Sequence, residues 1–200
     1  MIDEKRHAPA TARNRQPLLD ALRPHLPATG LLLEIASGSG EHAVFLAENL
    51  PGLTIQPSDP DAGARASIRA WTEGVANIRP PLQLDASDPA SWPDLTPDAI
   101  LCVNMIHIAP WSAALGLFAG AAKLLRPDAP LCLYGPYKRD GAHTADSNAA
   151  FDADLKARNP AWGVRDLEAV AELAAGHGFG EPTVILMPAN NLTLVFRREG

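Results

Sequence analysis

Leu31-Leu32-Leu33-Glu34-Ile35-Ala36-Ser37-Gly38-Ser39-Gly40-Glu41-His42-Ala43 is the stretch whose pattern decides the fold. The short apolar run 31–35 reads as a strand buried on both faces. Gly38 and Gly40 end it in a tight turn, and a helix opens at Glu41. Gly38, Gly40 and Ala43 satisfy the G-x-G-x-x-G/A spacing, which lets a ligand approach the backbone closely. Strand, glycine turn and helix in that order predict an α/β fold with a nucleotide-type cofactor at the carboxyl end of its sheet.

Outward from this stretch, short apolar runs predict further strands at 53–56, 82–84, 99–103, 130–134, 183–187 and 192–197. Helical patterns cover 13–26, 41–49, 61–73, 111–125, 147–158 and 166–176. Strands separated by helices of ten or more residues imply right-handed crossovers and a mostly parallel sheet. The last two strands are joined only by Pro188, Ala189, Asn190 and Asn191. Four residues cannot make a parallel crossover, so this pair is predicted to be an antiparallel hairpin.

Two hundred residues suit one domain spanning 1–200, with an arm or helix at 1–26 and a lid-like insertion at 136–166. The apolar share of 46% fills a core. The formal net charge is -6, from 17 basic and 23 acidic residues. That argues against a nucleic-acid partner and an anionic membrane surface. No apolar run is long enough to span a bilayer, and the polar start lacks the apolar core of a signal peptide. Cys102 and Cys132 sit in apolar runs and are expected to be buried free thiols of a cytoplasmic protein. No metal site is expected, because His and Cys never cluster at ligand spacing.

No Lys or Arg occurs from position 24 to 64, whereas Glu34, Glu41, Glu48, Asp59 and Asp61 do. This field disfavours a pyrophosphate on the helix N-terminus. It suits S-adenosylmethionine, which carries a sulfonium, an ammonium and no phosphate. Glu34 ends the first strand and either meets the ammonium or stabilises the glycine turn. Glu41 serves a ligand or simply complements the helix dipole. Asp59 follows the second strand and is placed to bridge two ribose hydroxyls; Asp61 is its competitor, or else a helix N-cap. Asp85 ends the third strand, where it either accepts from the adenine amino group beside the Ala86 N–H or starts a loop.

With these features the chain resembles a class I S-adenosylmethionine-dependent methyltransferase. The resemblance implies a Rossmann-like seven-stranded, mostly parallel sheet of order 3-2-1-4-5-7-6, with its last strand antiparallel and helices on both faces. A narrower resemblance is to the methyltransferase-like protein 26 family, whose bacterial members are known as a domain of unknown function. It is carried by Arg13-Asn14-Arg15-Gln16-Pro17, by Glu34 to His42, and by Gln56-Pro57-Ser58-Asp59. Further on, Asn104-Met105-Ile106-His107-Ile108, Tyr134-Gly135-Pro136-Tyr137, Ser147-Asn148 with Phe151-Asp152, Trp162 to Asp166, and Met187 to Asn191 carry it. The cofactor positions that follow are Glu34, Ala36, Gly38, Gly40, His42, Asp59, Asp85, Ala86, Asn104 and Met105. The family supplies no acceptor.

The acceptor is expected at the ends of the fourth and fifth predicted strands. His107, Asn104 and Tyr134 are the catalytic candidates. His107 acts as a general base or caps the next helix. The segment after Val103 lacks the Asn/Asp-Pro-Pro-aromatic pattern of base-modifying enzymes, which again disfavours nucleic acid. Arg13, Asn14, Tyr137, Asn148, Asp152 and Arg165 are the substrate candidates; Arg165 alternatively bridges Asp166 or Asp152. Asn148 and Asp152, four apart, share a helix face. The leading expectation is a methyltransferase for a small molecule, monomeric or homodimeric. The alternatives are a protein or RNA methyltransferase, a non-catalytic S-adenosylmethionine-binding regulatory protein and an NAD(P)-dependent oxidoreductase.

Overall fold

The structure, a computed structural model, describes residues 4–200. Its strands are β1 (Gly30–Ile35), β2 (Leu53–Pro57), β3 (Ala99–Val103), β4 (Pro130–Arg139), β5 (Ala142–His143), β6 (Arg165–Asp166), β7 (Thr183–Met187) and β8 (Asn191–Arg197). Its helices are α1 (Pro9–Leu22), α2 (Glu41–Asn49), α3 (Ala62–Thr72), α4 (Trp111–Leu124), α5 (Asp146–Arg158) and α6 (Leu167–Gly176). The main sheet runs β2-β1-β3-β4-β8-β7. The first four of these pair in parallel, and β8 lies antiparallel to both β4 and β7. The inferred hairpin is present, and the sheet is the mostly parallel α/β sheet expected.

The predicted strand at 82–84 is absent. Ile55 still donates to Asn77 O, Arg79 to Ile55 O and Leu82 to Pro57 O. Pro80 and Pro81 have no N–H to continue that ladder, so only bridges at Ile78 and Leu82 survive. The helix predicted at 13–26 instead starts at Pro9, which pre-sets the first turn, and ends before Pro24. The strand predicted at 130–134 continues to Arg139. It passes Pro136, which stands beyond the last β3 partner of β4, at Tyr134. The extension pairs with β5 and β6, so residues 136–166 form an annex to the sheet rather than a bare loop.

Side-chain alternation divides the core into two layers. Leu33, Ile100, Cys102, Leu131 and Leu133 pack with Phe118, Val170 and Phe196 on the α4–α6 face. Leu32, Leu101, Cys132 and Tyr134 pack with Leu18, Leu22 and Leu46 on the α1–α2 face. Both cysteines are buried and free, and burial pushes each thiol up to about 12. No helix among the described residues is long and apolar enough to cross a membrane.

Candidate functional site

Strain collects at the carboxyl ends of the central strands. Ala36, after β1, has φ 56, and Asn104, after β3, has φ 61. Left-handed backbone costs a non-glycine residue about 1–3 kcal/mol, and such residues cluster at functional sites. Gly40 caps α2 at φ 94, and a Cβ there would stand 2.9 Å from Ile68 Cα, so the turn admits only glycine.

Three carboxylates surround this turn. Asp59 accepts from Gly38 N–H at 3.0 Å and from Asp61 N–H at 2.9 Å. Burial raises its pKa despite those bonds. Glu34 is 1% exposed, and its Oε2 has no hydrogen-bond partner among the described residues. Burial pushes Glu34 up to about 7, opposed by a hydrogen bond with Ser37 and reinforced by Asp59. Glu41 Oε2 accepts from Ala8 N–H at 2.7 Å and from Ser39 Oγ at 2.8 Å.

Those last contacts hold the chain before α1 against the glycine turn. Arg6 N–H donates to Ser67 Oγ, whose hydroxyl donates to Ser39 O, and Arg6 Nη1 pairs with Asp61 at 2.8 Å. Trp71 Nε1 donates to Arg6 O at 2.9 Å. Asp61 is therefore the N-cap of α3, through Ala64 N–H, and an anchor for the arm. Glu41 is likewise an anchor.

Beside the turn lies a cavity of about 570 Å³ between α1, the ends of β3 and β4, α5 and the β7–β8 connection. It gathers five of the sequence candidates: Arg13, Asn14, Asn104, Tyr134 and Asn148. Asn14 Oδ1 is 2.8 Å from His42 Nε2, and burial holds His42 down at about 4. Tyr134 bonds Asn14 and Asn191, while burial raises its hydroxyl pKa. Asn148 Nδ2 donates to Asn190 O at 2.9 Å and Thr144 Oγ1 at 3.1 Å.

Other candidates stand elsewhere. Tyr137 is fully buried in the α4–α6 layer, because Tyr134 and Pro136 alternate to the cavity face and residue 137 to the opposite one. His107 is fully buried, edge-on to Tyr137, and is not among the cavity-lining residues. Its Nδ1 accepts from Arg165 N–H, its Nε2 has no partner among the described residues, and burial takes it down to about 3. It is a neutral structural ring rather than an accessible base. Arg165, a substrate candidate, is not among the cavity-lining residues; it donates to Ile106 O and Ala109 O, lies over Trp111 and staples the turn after β3, without the alternative ion pair to Asp166 or Asp152. Asp152 is a buried hub rather than a pocket wall. It meets Lys156 at 2.7 Å, His143 at 3.2 Å, Lys138 at 3.5 Å and Val164 N–H at 2.8 Å.

Asp85 is exposed; its Oδ1 accepts from Ser87 N–H and Oγ at the start of the loop after Leu84. Ala86 and Met105 are buried in the core layer beneath α4. The cavity also takes Ala10, Pro136, Ser147, Phe151, Pro188, Ala189 and Asn191. Ser147, Asn148 and Phe151 fall at i, i+1 and i+4 of one helix, a spacing that could have found them.

The profile of a family described as "Protein of unknown function (DUF938)" matches residues 5–198. The chain belongs to this family. The DUF938 chain is also similar in structure to solved methyltransferases. An O-methyltransferase family protein from Burkholderia thailandensis superposes with a TM-score of 0.80 at 17% identity, over 96% of this chain and 58% of that one. Human N-acetylserotonin methyltransferase, in complex with S-adenosylmethionine, gives 0.81 at 12% identity, over 96% and 53%. The mitomycin 7-O-methyltransferase gives 0.80 at 15% identity, over 94% and 54%. The chain spans just over half the length of these proteins. At these identities the likeness establishes the fold.

Proposed function

We propose that this chain is an S-adenosylmethionine-dependent methyltransferase acting on a small-molecule acceptor, and a bacterial counterpart of the methyltransferase-like protein 26 family. The observation that carries the reading is the glycine turn's charge: Glu34, Asp59 and Glu41 surround it, and buried Glu34 has one oxygen, Oε2, with no partner among the described residues. A buried carboxylate with an unpaired oxygen is costly unless a cation completes it. A sulfonium–ammonium cofactor fits that donor set; a pyrophosphate does not. S-adenosylmethionine supplies an electrophilic methyl on a positive sulfur.

The residues divide the remaining work. Glu34 is assigned to the ammonium. Asp59 keeps lone pairs for the ribose hydroxyls while Gly38 and Asp61 N–H fix its orientation. Asp85 and Ala86 are assigned to the adenine edge. Asn104 and Tyr134, at adjacent strand ends, orient the accepting atom at the cavity floor. Among the described residues no Asp, Glu or His lines that cavity, and the Tyr134 hydroxyl is held protonated by its raised pKa. The acceptor therefore reaches the site already nucleophilic near neutral pH, and positioning rather than proton abstraction lowers the barrier. A single domain over 1–200, with residues 1–26 and 136–166 covering the site, a cytoplasmic location and a monomeric or homodimeric state belong to the same proposal.

Calorimetry with S-adenosylmethionine, S-adenosylhomocysteine and NAD tests the cofactor, and labelled methyl transfer into a metabolite extract tests the activity. Binding of the first two without NAD, lost in Asp59→Ala, is the expected result. NAD binding alone, or an extract left unlabelled by a cofactor-loaded protein, refutes the methyltransferase.

A further inference from the structure

We infer that the acceptor carries a carboxylate, anchored by Arg13, on an apolar body seated against Phe151, Pro136 and Pro188; this rests on the proposed methyl transfer at the same cavity. Arg13 is the single charged side chain among the lining residues, in a protein of net charge -6. Among the described residues no carboxylate lies within ion-pair distance of it. An arginine at the rim of a largely apolar cavity, without a carboxylate of its own, matches a carboxylate's two oxygens.

The remaining polar atoms sharpen the ligand. Both Asn148 Nδ2 hydrogens are spent on oxygens of Asn190 and Thr144, which also fixes the orientation of the amide. The atom Asn148 keeps for a ligand is Oδ1, an acceptor. Asn14 Oδ1 is taken by the His42 ring, so its Nδ2 is the donor left. The N-terminal turns of α1, through Ala10, and of α5, through Ser147 and Asn148, both end at the cavity and add to its positive character. Asp146, in the first turn of α5, does not line it. The ligand class is thus a small organic acid with a hydroxyl or N–H donor: the acid at Arg13, the donor at Asn148.

Matched acid and amide probes, beginning with 4-hydroxybenzoate and 4-hydroxybenzamide, test this by protein-observed NMR with and without S-adenosylhomocysteine. The acids are expected to shift Ala10, Asn148 and Phe151 resonances and to bind at least about tenfold more tightly than their amides. Arg13→Gln abolishes that preference, Arg13→Lys restores part of it, and neither changes S-adenosylhomocysteine affinity. Equal binding of acids and amides, an unchanged preference in Arg13→Gln, or no acid bound at about 10 mM overturns the inference. If the acids bind at Arg13 but S-adenosylhomocysteine does not bind, the methyltransferase reading fails and the anion site stands. If S-adenosylhomocysteine binds and the acids show no preference, only the anion site fails.

Discussion

Asn14 Oδ1 stands 2.8 Å from His42 Nε2 and so couples the first helix to the helix that opens at the glycine turn. Burial depresses His42 to about 4, with Arg15 acting in the same direction and Glu41 against it. The ring is neutral at pH 7 and Nε2 carries the hydrogen, since the amide oxygen only accepts. Asn14 also bonds Tyr134. One side chain therefore links the cofactor turn to the floor of the acceptor cavity.

Replacing both partners measures that link. Asn14→Ala and His42→Ala are each expected to lower stability at pH 7, with a coupling energy of about 1 kcal/mol in a double-mutant cycle. The His42 contribution is complete above its unfolded value of 6.5 and is lost as pH falls toward about 4. Urea midpoints at pH 7 and pH 4 check both statements. Strict additivity at pH 7 shows that the contact does not couple the helices.

Glu34 gives the opposite pH sign. Its folded pKa, about 7, lies above the ordinary 4.5, so the folded state holds the proton more tightly. Stability is greatest below pH 4.5 on this account and falls by up to about 3 kcal/mol as pH rises through 7. Glu34→Gln removes that slope and is expected to be more stable than wild type at pH 8. The same change is expected to weaken S-adenosylmethionine binding about 10- to 100-fold, the loss of one charge-assisted hydrogen bond. Wild-type affinity rises with pH up to about 7, since the cation needs the ionised carboxylate. A variant that binds the cofactor as wild type does removes Glu34 from the site.

The contrast between Glu34 and His107 shows what the sequence made legible. Strand, glycine turn and hairpin length follow from local rules of donors, sterics and reach; the sheet follows the order implied by the family resemblance except at its edge, where the third predicted strand is missing and six strands stand on the path instead of seven. Pro80-Pro81 cost the third strand its ladder, since neither ring nitrogen can donate. Pro136 does not end β4, because its neighbour β3 has already ended at Val103. Facing was harder. A one-residue difference in alternation sends Tyr134 to the cavity and Gly135 and Tyr137 to His107. The end of β4 can be counted only once its far pairing with β6 is known. The ion-pair hub of Asp152 joins β4, β5 and α5, and sequence distance alone did not reveal it.

His107 and Gly135 are packed to the limit. A Cβ on Gly135 would lie 2.5 Å from His107 Nε2 and 3.1 Å from Asn104 Oδ1. Gly135→Ala is expected to cost about 1–3 kcal/mol by overpacking. His107→Ala opens the space, so the double variant should lose less than the sum of the single losses. Because His107 is neutral with its folded value near 3, its contribution is full above 6.5 and declines by up to about 5 kcal/mol as pH falls toward 3. His107→Phe should flatten that acid limb. An unchanged acid limb in His107→Phe contradicts the buried neutral ring.

Asp152 ties the annex down with one carboxylate. Its Oδ2 meets Lys156, Lys138 and His143, and its Oδ1 accepts the Val164 N–H. Burial alone raises its pKa, but Lys156, Val164 N–H and Lys138 outweigh burial and hold it below the ordinary carboxylate range. The stability it confers is full above 3.8 and is lost as pH falls through the lowered value. Asp152→Asn keeps the shape and removes the charge, leaving Lys138, 21% exposed, without its counter-ion. A loss of about 2–4 kcal/mol is expected, nearer the lower end because Lys156 is 52% exposed and can turn to water. Hydrogen exchange should report that loss first as faster opening of α5 and β5, with the amides of β1 and β3 unaffected. Since α5 carries Asn148 and Phe151 over the cavity, acid-probe binding should weaken in this variant while S-adenosylhomocysteine binding holds. Uniform loss of protection across the sheet would show instead that Asp152 supports the whole fold and not the wall of the acceptor site.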